Sequence, residues 1–247
     1  MVRLHTLGSI GLHDDEGRDF GSVIAQPRKL AILTVLATSP HGHRDREQLL
    51  HLFWPDRIAP LAHAALCQAI HFLRRELGAQ TIGSIGSRTL AIDDAFVSCD
   101  AVEFARACAA RDFERALQIY QGDFLDGLFI AEPPGRFDDW RERECSRLRQ
   151  LALDATAALI ALHRRAGDPG VAIYWARRAL AIQPDNEPML RECVTLLSDT
   201  GDRASALRAY EVFRAHLGRE VGAMPSATTE LLMSAIRRET RPEHVHH

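Results

Sequence analysis

Residues 60–78 read PLAHAALCQAIHFLRRELG, and their spacing decides how the rest of the chain is understood. Leu66, Ala69, Ile70, Leu73 and Leu77 recur at the i, i+3, i+4, i+7 intervals that line up side chains on one stripe of a helix. That stripe requires a core to lie against. The other side carries Ala64, Cys67, Gln68, His71, Arg74 and Arg75, small or hydrogen-bonding groups followed by two fixed positive charges. Such a face suits the floor and wall of a DNA major groove, while an amphipathic surface helix of no special role carries the same pattern. The flanking sequence separates the two readings.

Upstream, residues 2–12, VRLHTLGSIGL, alternate apolar and polar positions as a strand does, and Asp14-Asp15-Glu16-Gly17 supplies a turn before a second short strand expected over 20–24. Residues 27–38, PRKLAILTVLAT, switch to helical period, with Pro27 suited to the first turn and Leu30, Leu33, Val35 and Leu36 on one side. Pro40 and Gly42 end that helix. Asp45 is placed to cap a second one, with Leu49, Leu50 and Phe53 buried, which stops at Trp54-Pro55 because proline cannot continue it. Downstream, residues 81–85 and 89–92 flank Gly86-Ser87-Arg88 and read as a hairpin. Strands, three helices and a terminal hairpin make a winged helix-turn-helix. In that arrangement the third helix enters the major groove and the hairpin lies along the adjacent backbone. Arg74 and Arg75 are then expected at phosphates or guanine edges, Gln68 and His71 at base edges and Arg88 at a phosphate, with His63 in the same DNA-binding set.

Charge gives this reading only local support. The chain has 30 Lys and Arg against 33 Asp and Glu, a net charge of -3, and residues 1–98 hold ten of each sign. DNA contact must therefore come from placement of charge and not from a basic coat. Five scattered cysteines, Cys67, Cys99, Cys108, Cys145 and Cys193, show no zinc spacing and are expected to be reduced and mostly buried. The amino terminus MVRLHTLGS lacks a secretory signal and no long apolar run is present, so a cytoplasmic protein without a membrane segment is expected.

From Asp100 the strand signals give way to successive helices, over 101–110, 113–120, 138–166, 171–182, 188–200, 204–217 and a last one from Ser226 to Arg238. Gly167-Asp168 and Gly201-Asp202 lie 34 positions apart, and at the same offset Ala172 matches Ala206, Ile173 matches Leu207 and Ala176 matches Tyr210. That is the tetratricopeptide period. Asp112 to Tyr120, DFERALQIY, echoes Asp202 to Tyr210, DRASALRAY. A short helical-repeat domain follows, whose units bury their faces by stacking. Residues 122–136, with Phe124, Leu125, Leu128 and Phe129, read as a loop plugging that stack.

The segments PRKLAILTVLA, LLHLFWPD, ALCQAIHFLRRELG, ALQIYQGDFLDG, WARRALAIQPDNEPMLR and GDRASALRAYEVFRAHLGREVGAMPSATTELL, in this order, resemble the antibiotic regulatory protein (SARP) type of bacterial transcriptional activator over nearly the whole chain. The resemblance implies a mainly α protein. An OmpR-like winged-helix DNA-binding domain would occupy 1–98, a tetratricopeptide-like bacterial transcriptional activator domain 99–240, and a tail 241–247. It also implies binding of duplex DNA at direct repeats as a side-by-side homodimer and recruitment of RNA polymerase, with no cofactor. Many members carry cationic or amide side chains where this chain has Ala64, Cys67 and His71-Phe72, groups worth about 1 to 3 kcal/mol each in base discrimination. Binding that is weak and cooperative, or a domain turned toward protein contacts, both follow from that departure. The chain reads either as a short regulator or as the front part of a longer one.

Two other classes compete with a DNA-binding regulator. An enzyme finds no support: there is no nucleophile-elbow serine, no H-E-x-x-H and no dinucleotide or P-loop glycine pattern. Asp14-Asp15 and Asp138-Asp139 stand in a turn and at a helix start, where carboxylates are favoured without catalysis. His41 and His43 sit in a turn, and His244, His246 and His247 in the tail, so no metal site is expected. The alternative that stays open is a protein-interaction module whose winged helix does not bind DNA.

Overall fold

A computed structural model describes residues 1–130 and 135–238. The tail at 241–247, the end of the second domain at 239–240 and part of the aromatic loop lie outside the described residues. The chain forms two compact units, Met1–Leu151 and Ala152–His247.

In the first unit, β1 (Val2–His5) and β2 (Gly11–Asp14) form an antiparallel hairpin. The single strand expected over 2–12 is thus folded back at Gly8, whose φ of +91° only glycine adopts freely. The second strand expected over 20–24 is instead a one-turn helix, α1 (Gly21–Ile24). It tucks Phe20 and Val23 into the core, a helical i, i+3 pairing that period-two reading cannot distinguish in so short a stretch. Helix α2 (Pro27–Ala37) begins on Pro27, and Leu30 through Leu36 are all buried.

Strand β3 (His43–Asp45) leads into α3 (Arg46–Phe53) and then α4 (Ala59–Leu77). Asp45 occupies the capping position of α3 without capping it, because its carboxylate accepts the Thr89 hydroxyl at 2.6 Å. After α4 come β4 (Ile82–Ile85) and β5 (Thr89–Ile92), which with β3 make a three-stranded antiparallel sheet in the order β3-β5-β4. A further strand, β6 (Val97–Cys99), lies parallel to β1 with Val2 opposite Val97 and Leu4 opposite Cys99. These elements compose the expected winged helix.

The same unit includes α5 (Asp100–Ala109), α6 (Phe113–Ile119) and the start of α7 (Arg136–Ala166). Asp100 joins them to β1: its carboxylate accepts from the Thr6 amide and hydroxyl at 2.8 and 2.6 Å and from the Leu7 amide at 3.0 Å. The described part of the aromatic loop, residues 122–130, packs on that corner and not into the repeat stack. Phe124, Leu125 and Leu128 are buried, Leu125 N–H donates to the Thr6 carbonyl, and Phe129 is exposed.

The second unit holds the rest of α7, then α8 (Pro169–Ile182), α9 (Glu187–Asp199), α10 (Arg203–His216) and α11 (Ala227–Arg238). Ala172, Ala176, Cys193, Leu197, Ala206 and Tyr210 are central to its core, the small residues admitting close helix approach. The repeat is written in its joints. Asp168 N–H reaches the His163 carbonyl, Asp202 N–H the Leu197 carbonyl, and in the first unit Asp112 N–H the Ala107 carbonyl, each a six-residue return that closes a helix. The same aspartates then accept from Val171, Ser205 and Arg115 amides to cap the next helix. Gly167 (φ +74°) and Gly201 (φ +81°) hold the left-handed residue of two joints, and Arg111 (φ +60°) holds the third.

Candidate nucleic-acid interface

Helix α4 is fixed by its back. Leu66, Ala69, Ile70, Leu73 and Leu77 are all buried, together with Ala62. The residues left outside fall into two groups because neighbours on a helix are about 100° apart. Ala64, Gln68, His71 and Arg75 share the outermost stripe and are exposed. Among the described residues, the side chains of Gln68 and His71 have no hydrogen-bond partner. Their amide and imidazole groups can each donate and accept, which is the chemistry that reads base edges.

His63 and Arg74 lie on the flank. The His63 Nε2 stands 3.3 Å from Glu47 of α3. Arg74 is half-buried and turned to the wing, its Nε donating to the Ile82 carbonyl at 2.8 Å and an Nη to the Ser84 hydroxyl at 3.3 Å. Arg75 is exposed, but its guanidinium donates twice to Glu76, at 3.0 and 2.8 Å. The two arginines therefore do not form the pair of free cations that adjacency in the sequence suggested. One fastens the helix to β4, and the other is held by its neighbour. The Glu76 carboxyl sits below the usual glutamate range because the Ser22 hydroxyl and Arg75 both donate to it.

Arg88 projects from the wing turn and is exposed without a side-chain partner among the described residues. Its carbonyl accepts the Arg46 amide at 2.9 Å, which sets the wing on the start of α3. Sequence reading missed one participant, Lys29. Lys29 of α2 lies 3.7 Å above the Phe72 ring, and Arg75 lies 5.2 Å from that ring on α4, so that an aromatic plate carries two cations beside the outer stripe. Nothing in the sequence pairs Lys29 with Phe72, 43 positions away; only the α2–α4 packing does.

The cysteines divide by environment. Cys67 on α4 is exposed, and Cys99 and Cys193 are buried. Burial and the adjacent Asp100 charge push the Cys99 thiol up to about 12. Among the described residues no cluster of three or more His, Cys, Asp or Glu side chains is placed to hold a metal ion. His41 and His43 are stacked with ring centres 5.9 Å apart. No helix among the described residues is long and apolar enough to cross a membrane.

A winged helix-turn-helix with an exposed polar third helix, followed by short helical repeats, defines the class of a transcription regulator. The family model of the bacterial transcriptional activator domain matches residues 100–237, more than half of the chain, and the chain belongs to that family, whose members are regulators of transcription and not enzymes. Among solved structures, it is similar to Mycobacterium tuberculosis EmbR in complex with a low affinity phosphopeptide, with a TM-score of 0.64 and 21% identity over 98% of this chain and 66% of that one. That likeness establishes the fold, and the chain spans about two thirds of EmbR's length. No curated protein matches the sequence.

Proposed function

We propose that this protein is a cytoplasmic transcriptional activator that binds duplex DNA at direct repeats, residues 1–98 acting as the DNA-binding domain and 99–240 as the activator domain. The single observation that supports it best is the outer stripe of α4, where Gln68 and His71 stand exposed and unpartnered on a helix whose back is fully buried. In this reading α4 lies in the major groove with Gln68 and His71 at base edges, Arg75 and Lys29 at flanking phosphates, and Arg88 at a phosphate under the wing. His63 and Arg74 act indirectly, through Glu47 and through the wing. Two protomers sit side by side on the repeat, and the helical repeats contact RNA polymerase or the second protomer.

Selection of random duplex DNA by the purified protein tests this. Recovery of two copies of one short sequence in the same orientation is expected, and absence of enrichment would sink it. The capture of Arg75 by Glu76 and of Arg74 by β4 favours one competing reading, a winged helix used for protein contacts alone. The same selection separates the two.

A further inference from the structure

The second unit carries a groove that the DNA-binding reading does not use. It lies between α8 and α10, has a volume of about 390 Å³, and is floored by Leu180, Ala209, Val212 and Phe213. Positions 205, 208, 209, 212, 213 and 216 place one continuous face of α10 along it. Its rim is basic: Arg177, Arg208, His216 and Arg219 all line it. Among the described residues Arg177, His216 and Arg219 make no ion pair at salt-bridge distance, and Arg208 donates only to the Ser205 hydroxyl at 2.7 Å. Asp202, the carboxylate that feels Arg208 and Arg177, is committed to the Ser205 amide as the cap of α10. Val212, which lines the groove, is 70% exposed.

Three permanent guanidinium charges around an apolar floor define what fits. We propose that this groove docks an acidic segment of a partner protein, with carboxylates to meet Arg177, Arg208 and Arg219 and an aliphatic or aromatic side chain to cover Val212 and Phe213. Duplex DNA meets the charges, but its convex edge offers phosphates and its thymine methyls are recessed in the major groove, so no apolar group is presented to the floor. The inference rests on the reading of the repeats as a protein-contact surface, and not on DNA binding by α4.

Selecting a phage-displayed random peptide library on the full chain tests it. Recovered peptides should be rich in Asp and Glu interspersed with Leu, Ile or Phe. A labelled winner, followed by fluorescence anisotropy, should bind Arg208→Glu/Arg219→Glu about tenfold or more weakly, and Val212→Ser should also weaken it. These positions are exposed, so both variants should keep the circular dichroism spectrum and the DNA binding of the parent. The proposal fails if no peptides are enriched, if they lack acidic residues, or if the charge reversal leaves their binding unchanged. It equally fails if the reversal removes duplex binding or self-association and not peptide binding, which would reassign the groove to nucleic acid or to a second copy.

Discussion

The Nε of Arg74 donates to the carbonyl oxygen of Ile82 at 2.8 Å, fastening the candidate recognition helix α4 to the wing strand β4. A charge-assisted bond of this kind is worth about 2 kcal/mol. Arg74→Ala should lower the melting temperature of the first unit by roughly 4 to 8 °C, and Arg74→Lys should not restore it, because an ammonium cannot reproduce the fork to Ile82 and Ser84. Thermal unfolding followed by circular dichroism reads both variants. Arg75→Ala, by contrast, should leave stability almost unchanged.

Glu76 restrains Arg75, and that restraint predicts a gain of function. Glu76→Gln frees the guanidinium and removes a negative charge beside the outer stripe of α4, so under the proposed function duplex affinity should rise and its salt dependence steepen. Gln68→Ala and His71→Ala should each cost about 1 to 3 kcal/mol of sequence discrimination, whereas Arg88→Ala should weaken all duplexes alike and reduce the salt slope by about one. Titrations at several salt concentrations distinguish these outcomes.

Cys67 supplies a chemical probe of the same face. A maleimide should modify exposed Cys67 ahead of buried Cys99 and Cys193. Modification at Cys67 should abolish duplex binding, and Cys67→Ser should protect it. Retained binding after full modification would place the DNA elsewhere.

The three helix joints predict opposite effects for reciprocal exchanges. Arg111 holds a left-handed conformation that an L side chain adopts at a cost of about 1 kcal/mol, so Arg111→Gly should raise the melting temperature, less whatever freedom glycine adds to the unfolded chain. Gly201→Ala should lower stability by about 1 kcal/mol through the backbone alone, since nothing lies within 4 Å of the added carbon. Differential scanning calorimetry checks both.

Acid should weaken the second unit through Glu187. Burial by itself would raise this carboxyl, but the Ser226 and Thr229 donors, with Arg191, outweigh it and hold it below the usual glutamate range. Its folded-state pKa is depressed, so its contribution is fully present above about pH 4.3 and is lost as the pH falls through the depressed value. The melting-temperature gap between the parent and Glu187→Gln should therefore be widest near neutrality and close toward pH 3. A gap independent of pH would show that the Ser226 hydrogen bonds do not need the charge.

Helix position and period were legible because the buried stripes of α2, α4 and the repeat helices recur over many turns. Short elements were not. Four residues from Gly21 to Ile24 satisfy helix and strand alike, and β3 and β6 are three residues long, formed only because distant strands accept them. The site shows the same divide. Exposure of Gln68, His71 and Arg88 followed from helix phase and turn chemistry, but the fate of Arg74 depended on Ile82, that of Arg75 on Glu76, and the role of Lys29 on Phe72. A sequence records which side chains point outward and not which of them meet a partner there.

The bonds from Thr6 and Leu7 to Asp100 bear on how the gene can be cut. A fragment ending at residue 98 loses Cys99 from the strand beside β1 and, with Asp100 gone, leaves the Thr6 and Leu7 amides without their acceptor, at about 1 to 3 kcal/mol each. The smallest piece that carries the candidate DNA-binding face intact therefore runs on through the first helices of the activator region. The first compact unit, Met1–Leu151, thus runs across the boundary that the family names draw near residue 99.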